Sequence, residues 1–229
     1  MIDPHYLYLL VNLGAVIVPF IFSFHPKIKF YKQWGAAAIA ILGPLFLFLP
    51  WDMYFTKLGV WGFNPHYTTG LKIVNLPVEE VLFFICIPYA CLFTWFSLKV
   101  LVFTNYKIKN VNTFSYMLAI VVLLTAFLFK DRYYTFSSLF LLGIALLYGA
   151  RYFTSGMHRF FISYLILLIG FFAVNGILTG TGLEQPVVWY NNAENLGIRA
   201  VTIPLEDFFY GMLLILLNIM IFEKYYKSA

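Results

Sequence analysis

Seven apolar stretches constrain the fold of this chain more than any other feature. A helix needs about 20 residues to cross the roughly 30 Å hydrocarbon core of a bilayer. The stretches lie near residues 5–24, 33–50, 77–103, 112–129, 134–152, 160–178 and 203–222. Of the 229 residues, 62% are hydrophobic and only 11% are charged, which falls outside the usage of soluble domains. The sequence therefore predicts an all-α transmembrane protein with seven helices.

A proline–acid motif occurs twice, with a separation of 127 residues. Residues 76–80 read Leu-Pro-Val-Glu-Glu, and residues 203–207 read Ile-Pro-Leu-Glu-Asp. In the same register, Lys72 falls opposite Arg199. Because chance rarely produces such a motif and a basic residue twice in register, we interpret the chain as an internal duplication.

The 127-residue correspondence also predicts the domain organisation. It lays span one on span five, two on six and three on seven, and it leaves span four between them. Because a displacement of four spans is even, the two halves enter the membrane in the same direction, unlike the inverted repeats of many transporters. We predict two parallel three-helix repeats, over residues 1–104 and 132–229, joined by a connecting fourth helix over 105–131. Both acidic motifs are then expected on one side of the membrane.

The basic residues predict the orientation, since cytoplasmic loops are enriched in Lys and Arg. Ten lie on the side of the C-terminus, namely Lys27, Lys29, Lys32, Lys99, Lys107, Lys109, Arg151, Arg159, Lys224 and Lys227. Five lie on the other side, namely Lys57, Lys72, Lys130, Arg132 and Arg199. We predict a multi-pass protein of the cell membrane with its N-terminus outside, its C-terminus cytoplasmic and no nucleic acid partner.

The carboxylates of the doubled motif, Glu79, Glu80, Glu206 and Asp207, are the candidate catalytic residues. Pro77 suits the first turn of a helix, where the helix dipole favours acids, so an ordinary helix start is the structural alternative. Ionisable groups at membrane depth are nevertheless costly and commonly functional. Adjacent residues diverge by about 100° around a helix, so only one of each pair can face the bundle interior. We favour the position that holds glutamate in both motifs, Glu79 with Glu206.

Aromatic and polar residues near the motifs complete the candidate site. The predicted substrate contacts are aromatic: Trp61, Phe83, Phe84, Trp189, Phe208 and Phe209. The predicted supporting groups are polar: Asp52, Asn64, Lys72, Asn175, Asn191 and Arg199. The loops that contain Trp61 and Trp189 are interpreted either as an aromatic lid over the acids or as interfacial anchors. The chain has no dinucleotide-binding glycine pattern, no paired D-x-x-x-D motif and no metal-ligand spacing of histidines, so we predict no cofactor and no metal.

The doubled P-x-E-[ED] motif with its Phe-rich continuation, over residues 77–84 and 204–210, resembles the small integral-membrane lycopene cyclases. The stretch Trp61-Gly62-Phe63-Asn64-Pro65 shares this resemblance. That family includes two-subunit bacterial enzymes, fused chains, and the cyclase half of a fungal bifunctional enzyme. The resemblance covers nearly the whole chain, which is similar to the fused form.

The resemblance implies an enzyme of carotenoid biosynthesis, a lycopene β-cyclase that converts linear ψ ends to β-ionone rings and so forms γ-carotene and β-carotene. The reaction would be an acid–base isomerisation without redox change, with Glu79 and Glu206 as the principal pair and Glu80 and Asp207 in support. Lycopene and other C40 carotenes would come from the bilayer, and membrane lipid would surround the protein. Other carotenoid enzymes or a second copy of the chain remain open as protein partners.

Two alternatives to the cyclase function remain open. The first is another carotenoid end-group enzyme, such as a hydratase. The second is a small transporter whose paired acids bind protons or cations. The sequence also leaves open which carboxylate would be the acid and which the base.

Overall fold

The computed structural model describes residues 3–102 and 109–226. Within these ranges the chain forms seven α-helices, all long and apolar enough to cross a membrane. They are α1 (Leu7–Phe22), α2 (Trp34–Leu58), α3 (Val78–Leu101), α4 (Val111–Leu128), α5 (Tyr133–Tyr152), α6 (Thr154–Leu178) and α7 (Leu205–Tyr225). The predicted all-α transmembrane fold is therefore confirmed, whereas its division into two repeats stays a prediction. The predicted boundary between residues 104 and 105, the chain ends, Lys107 and Lys227 lie outside the described residues.

Helix α2 is longer than the sequence predicts. It continues to Leu58 instead of ending near residue 50, although Pro50 lies inside it. Transmembrane helices tolerate proline because neighbouring groups satisfy the carbonyl that the missing amide leaves free. The extension matters for the site, because it places Asp52 on a helix and buries it within the bundle.

Among the described residues, six short strands lie in the segments that connect the helices. They are β1 (Trp61–Phe63), β2 (Lys72–Ile73), β3 (Leu76–Pro77), β4 (Val188–Tyr190), β5 (Arg199–Ala200) and β6 (Ile203–Pro204). Strands β2 and β3 form one antiparallel pair, and β5 and β6 form another. Each of these pairs leads directly into a helix that begins with an acidic motif.

The two hairpins have the same backbone geometry at a spacing of 127 residues. Val74 and Val201 both adopt the left-handed region, with φ of 59° and 60°, which is unusual for a β-branched residue. The first amide of α3 donates to Leu71 O, and the corresponding amide of α7 donates to Ile198 O, both at 2.9 Å. Helices α3 and α7 therefore begin with the same local geometry relative to the hairpins that precede them.

The helices bring the acidic motifs to one end of the bundle. Helix α1 packs along α3, α5 along α7, α2 against α7, and α4 on α5. Side chains at the starts of α1 and α5 hydrogen-bond the first turns of α3 and α7. The buried core below this end includes Phe48, Leu92, Trp95, Leu146 and Leu216.

Strands β1 and β4 pair across the two halves of the chain. Trp61 lies opposite Tyr190, and Gly62 lies opposite Trp189. A Cβ atom on Gly62 would come within 2.4 Å of Trp189 Cζ2. The indole of Trp189 therefore occupies the space that any other side chain at position 62 would need.

This close contact predicts that Gly62→Ala destabilises the protein by about 1–3 kcal/mol, because the indole must move to relieve the overlap. Thermal unfolding of the detergent-solubilised protein measures the effect. The double variant Gly62→Ala/Trp189→Ala should recover most of the loss. Gly35→Ala in α2 is the control, since no atom lies within 4 Å of a Cβ at that position. Equal unfolding temperatures for Gly62→Ala and the unchanged protein would contradict the prediction.

Candidate active site

A cavity of about 480 Å³ lies at the end of the bundle where the acidic motifs begin. Most of its lining is aromatic or aliphatic, and the side chains come from six helices and from strands β1 and β4. Among the described residues, three carboxyl groups line it, those of Asp52, Glu80 and Asp207. All three residues are at most 8% exposed. The cavity thus combines an apolar interior with a few buried acids.

Asp52 and Glu80 form one group of acids. Tyr8 OH donates to Glu80 Oε2, and Trp61 Nε1 donates to Asp52 Oδ1 at 2.5 Å. The carboxyl groups of Asp52 and Glu80 line the same cavity and are close enough to interact with each other. Three separate elements, α1, α2 and β1, therefore meet at the first turn of α3.

Asp207 is held by a different set of donors. Tyr134 OH donates to its Oδ1 at 2.5 Å, and Tyr190 OH donates to its Oδ2 at 3.0 Å. Asn175 Nδ2 lies 3.5 Å from the same Oδ2. Burial and the nearby Asp207 carboxyl raise the pKa of Tyr190 well above its usual value, so the phenol keeps its proton and remains a donor.

Aromatic rings surround the acids closely. Tyr134 and Tyr190 are stacked with their centroids 5.8 Å apart. The ring of Trp61 lies 5.0 Å from that of Tyr134 and 6.3 Å from that of Tyr210. Aromatic faces attract cations by about 0.5–2 kcal/mol each, more strongly where water is excluded. The cavity is therefore suited to a positive charge that forms beside the acids.

The lining of the cavity continues from the acids along α1 and α6. Ala15 and Pro19 line it on α1, and Ile169 and Gly170 line it on α6. Ile169 is 76% exposed, and no atom lies within 4 Å of a Cβ at Gly170. The part of the lining that joins the acids to this exposed face of α6 is therefore mostly apolar.

Comparison with known proteins assigns the family. The sequence profile of the family described as "Lycopene cyclase" matches residues 5–98 and 131–225, which together make up most of the chain. The chain belongs to the lycopene cyclase family. No solved structure matches it significantly.

Curated relatives in this family are fungal proteins named bifunctional lycopene cyclase/phytoene synthase. The protein of Pyrenophora tritici-repentis is 33% identical over 88 residues, which are 36% of this chain and 14% of that protein. The protein of Aspergillus niger is 41% identical over 61 residues, which are 24% of this chain and 10% of that protein. The protein of Leptosphaeria maculans is 31% identical over 88 residues, again 36% and 14% of the two lengths. The matches thus span only a small part of each relative.

In this cyclase-family chain, the first acid of each motif does not line the cavity. Glu79 Oε1 accepts from Thr69 N at 2.7 Å, and Glu206 Oε1 accepts from Leu196 N at the same distance. Thr135 Oγ1 also donates to Glu206, at 2.6 Å. The two glutamates thus hold the segments before the hairpins, and the second acid of each motif faces the cavity.

The predicted aromatic contacts separate into two groups. Trp61 and Phe83 line the cavity. The others lie elsewhere: Phe84 packs against Phe48, Trp189 is 44% exposed, Phe208 packs on Phe171 and Phe172, and Phe209 packs against the core. Of the two loop tryptophans, Trp61 lines the cavity and Trp189 is exposed, while Phe63 and Tyr190 of the same strands also line the cavity.

The predicted polar supports separate in the same way. Asp52 and Asn175 line the cavity. The others have contacts outside it: Asn64 donates to Gln185, Lys72 is exposed, Asn191 accepts from the amide of Ala193, and Arg199 donates to Thr202 O and Asn192. The basic residues beside the motifs therefore do not touch the acids that line the cavity.

Sequence reasoning missed Tyr8, Tyr134 and Tyr210, which line the cavity. Tyr8 and Tyr134 lie near the starts of spans one and five, which the predicted topology places beside the starts of spans three and seven. Polar residues at those two positions were therefore a usable signal. Tyr210 follows the second motif and corresponds to Phe83 at the 127-residue spacing.

The contacts of Glu206 predict a structural role. Glu206→Ala should lower the free energy of unfolding by about 1–3 kcal/mol, because it leaves the buried donors from Leu196 and Thr135 without an acceptor. Glu206→Gln keeps an acceptor oxygen and should cost less. Thermal unfolding in detergent compares the two variants. Equal losses for Ala and Gln would show that the acceptor oxygen is not what stabilises this segment.

Proposed function

We propose that this protein is a lycopene β-cyclase, which converts linear ψ ends of lycopene to β-ionone rings and forms γ-carotene and β-carotene. The observation that carries the proposal is the cavity in which the carboxyl groups of Asp52, Glu80 and Asp207 lie among aromatic rings and a mostly apolar lining. Membership of the lycopene cyclase family supports the same chemistry. The substrates would be lycopene and other C40 carotenes that reach the cavity from the bilayer.

The proposed reaction is an isomerisation driven by proton transfer. An acid protonates the terminal alkene, and the resulting carbocation is attacked by a neighbouring double bond, which closes the ring. A base then removes a proton from the cyclic cation. One proton enters and one leaves for each ring, so the product has the composition of the substrate and no electron acceptor is needed.

Within each motif we assign the chemistry to the second acid, Glu80 and Asp207. Their carboxyl groups line the cavity, whereas those of Glu79 and Glu206 accept from backbone amides. The sequence instead favours the first acid of each motif, Glu79 and Glu206. The reason for this difference is the rotation of about 100° between adjacent helical residues, since only one of them can point into the cavity.

The aromatic lining supplies the second requirement of the reaction. A carbocation in an apolar cavity has no water to solvate it. The aromatic faces of Trp61, Tyr134 and Tyr210 can stabilise its positive charge instead. Exclusion of water also prevents capture of the cation as an alcohol. The same geometry therefore favours ring closure over hydration.

We also propose the membrane arrangement that the sequence predicts. The N-terminus would lie outside, the C-terminus in the cytoplasm and the cavity toward the non-cytoplasmic face of the cell membrane. The two matched family segments leave out residues 99–130, which contain α4. That gap supports a connecting fourth helix between two three-helix repeats.

Expression of the chain in lycopene-producing cells, followed by chromatography of the pigments, tests the function. Rings of the β type support cyclisation, hydroxylated acyclic ends would point to a hydratase, and unchanged lycopene would reopen the transporter alternative. Glu80→Gln and Asp207→Asn should each lower β-ring formation by about 100-fold or more, since each removes a proton-transfer group.

Glu79→Gln is the matched control for Glu80→Gln, because it makes the same change at the neighbouring residue and keeps an acceptor oxygen for Thr69 N. It should retain most of the conversion when rates are corrected for protein amount. A full loss with Glu79→Gln and none with Glu80→Gln would contradict the assignment of the second acid.

We also propose that the substrate enters through an opening between α1 and α6, where Gly170 lines the cavity and is exposed. Gly170→Phe should lower conversion by about 10- to 100-fold, because a ring in the opening displaces the substrate end from the acids. Gly14→Phe is the matched control: Gly14 is also an exposed glycine of a transmembrane helix with no atom within 4 Å of a Cβ, but it does not line the cavity. Equal conversion by the two variants would place substrate access elsewhere.

A further inference from the structure

We propose that Asp52 is a catalytic residue, and that Asp52 and Glu80 share one proton and act together as the acid while Asp207 acts as the base. This inference rests on the proposed cyclase function and assigns the roles within it. The carboxyl oxygens in the cavity differ in the hydrogen-bond donors that are available to them.

Asp52 has one oxygen that the described residues leave without a donor. Its Oδ1 accepts from Trp61 Nε1 at 2.5 Å and from Thr56 Oγ1 at 3.4 Å. Its Oδ2 finds no donor among the described residues. Because Asp52 is only 1% exposed, bulk water does not supply one either. A buried acceptor without a donor is costly. The neighbouring carboxyl group in the cavity is that of Glu80.

Two adjacent carboxyl groups can hydrogen-bond only if a proton lies between them. Like charges this close in an apolar site do not both ionise, as in other carboxyl pairs that share a proton. Tyr8 satisfies Glu80 Oε2 but supplies nothing to Asp52 Oδ2. A single proton shared by Asp52 and Glu80 therefore completes the hydrogen bonding, and it is the proton available for transfer.

Asp207 differs because its donors are already complete. Tyr134 satisfies Oδ1, and Tyr190 and Asn175 reach Oδ2. All three donors are neutral groups that stabilise a carboxylate, which is the form that accepts a proton. Among the described residues, the hydrogen-bond partners of Asp207 are these three donors and include no second carboxyl group.

The 127-residue correspondence shows that this difference lies in the sequence itself. It places Asp52 opposite Thr179. Thr179 Oγ1 donates to the backbone carbonyl of Asn175 at 2.7 Å, so the second half of the chain has no counterpart of the Asp52–Glu80 pair. In the cavity lining, the first half thus contributes the pair Asp52 and Glu80, and the second half contributes Asp207, whose two oxygens both have donors.

The proton balance of the cycle follows from these roles. The shared proton moves from the Asp52–Glu80 pair to the terminal alkene carbon, the new C–C bond closes the ring, and Asp207 takes a proton from the ring. The pair then lacks one proton and Asp207 has gained one. Exchange with water restores both groups before the next ring forms.

To test these roles, solubilised protein is incubated with lycopene in D2O. The products and the recovered lycopene are then analysed by mass spectrometry and NMR. The unchanged protein should place one deuterium in each ring formed. Asp52→Asn, which keeps the acceptor for Trp61 and offers Glu80 an amide instead of a proton, should lower conversion by about 100-fold or more and leave the recovered lycopene without deuterium. Asp52→Glu should recover part of the activity.

Asp207→Asn should still allow protonation. Its expected signatures are rings with a displaced double bond, hydroxylated rings, or deuterium in recovered lycopene from reversible protonation. Glu223→Gln, an amide replacement in α7 whose native partners are Lys99 and Trp95, is the control and should behave like the unchanged protein. Size-exclusion chromatography confirms that each variant is folded.

Three outcomes would overturn the assignment. If Asp52→Asn retains conversion, Asp52 is not part of the acid. If Asp207→Asn still forms only β rings at the original rate, Asp207 is not the base. If Asp207→Asn yields neither rings nor deuterium in lycopene, Asp207 takes part in the protonation step. Failure of the unchanged protein to convert lycopene would instead refute the proposed function, so the two failures are distinguishable.

Discussion

Carboxyl groups buried at the end of a membrane bundle need hydrogen-bond partners, and this requirement organises the structure around them. Hydrocarbon supplies no partners, so each donor must come from another part of the chain. Tyr8 on α1 reaches Glu80, Trp61 on β1 reaches Asp52, and Tyr134 on α5 reaches Asp207. Because these donors belong to different elements, satisfying the acids also determines how α1 and α5 sit beside α3 and α7.

The short pairing of β1 with β4 contributes to both groups of acids at once. Trp61 and Tyr190 are directly opposite in the register, and they donate to Asp52 and Asp207 respectively. The strands therefore do more than connect helices, since a change in their register would withdraw a donor from each side of the cavity. This coupling explains how a segment of three residues per strand can matter for a site built mainly by long helices.

Much of the architecture was predictable from the sequence, because hydropathy sets the spans and proline with acids sets the starts of α3 and α7. The choice between Glu79 and Glu80 was not, because it depends on the rotation with which α3 leaves its hairpin. Asp52 lies just beyond the predicted end of the second span near residue 50, whereas α2 continues to Leu58 and buries Asp52. The tyrosine donors are hard to identify among 17 tyrosines, since most tyrosines in such a chain are expected at interfaces or lipid contacts.

The contact between Gly62 and Trp189 has a consequence for symmetry. In the 127-residue correspondence position 62 is equivalent to position 189, so each of these residues faces its own counterpart, as happens only on a two-fold axis. Two tryptophans there would compete for one space, and two glycines would leave it empty. The pair fits only because the two halves differ. This close contact therefore depends on unlike residues at the two positions.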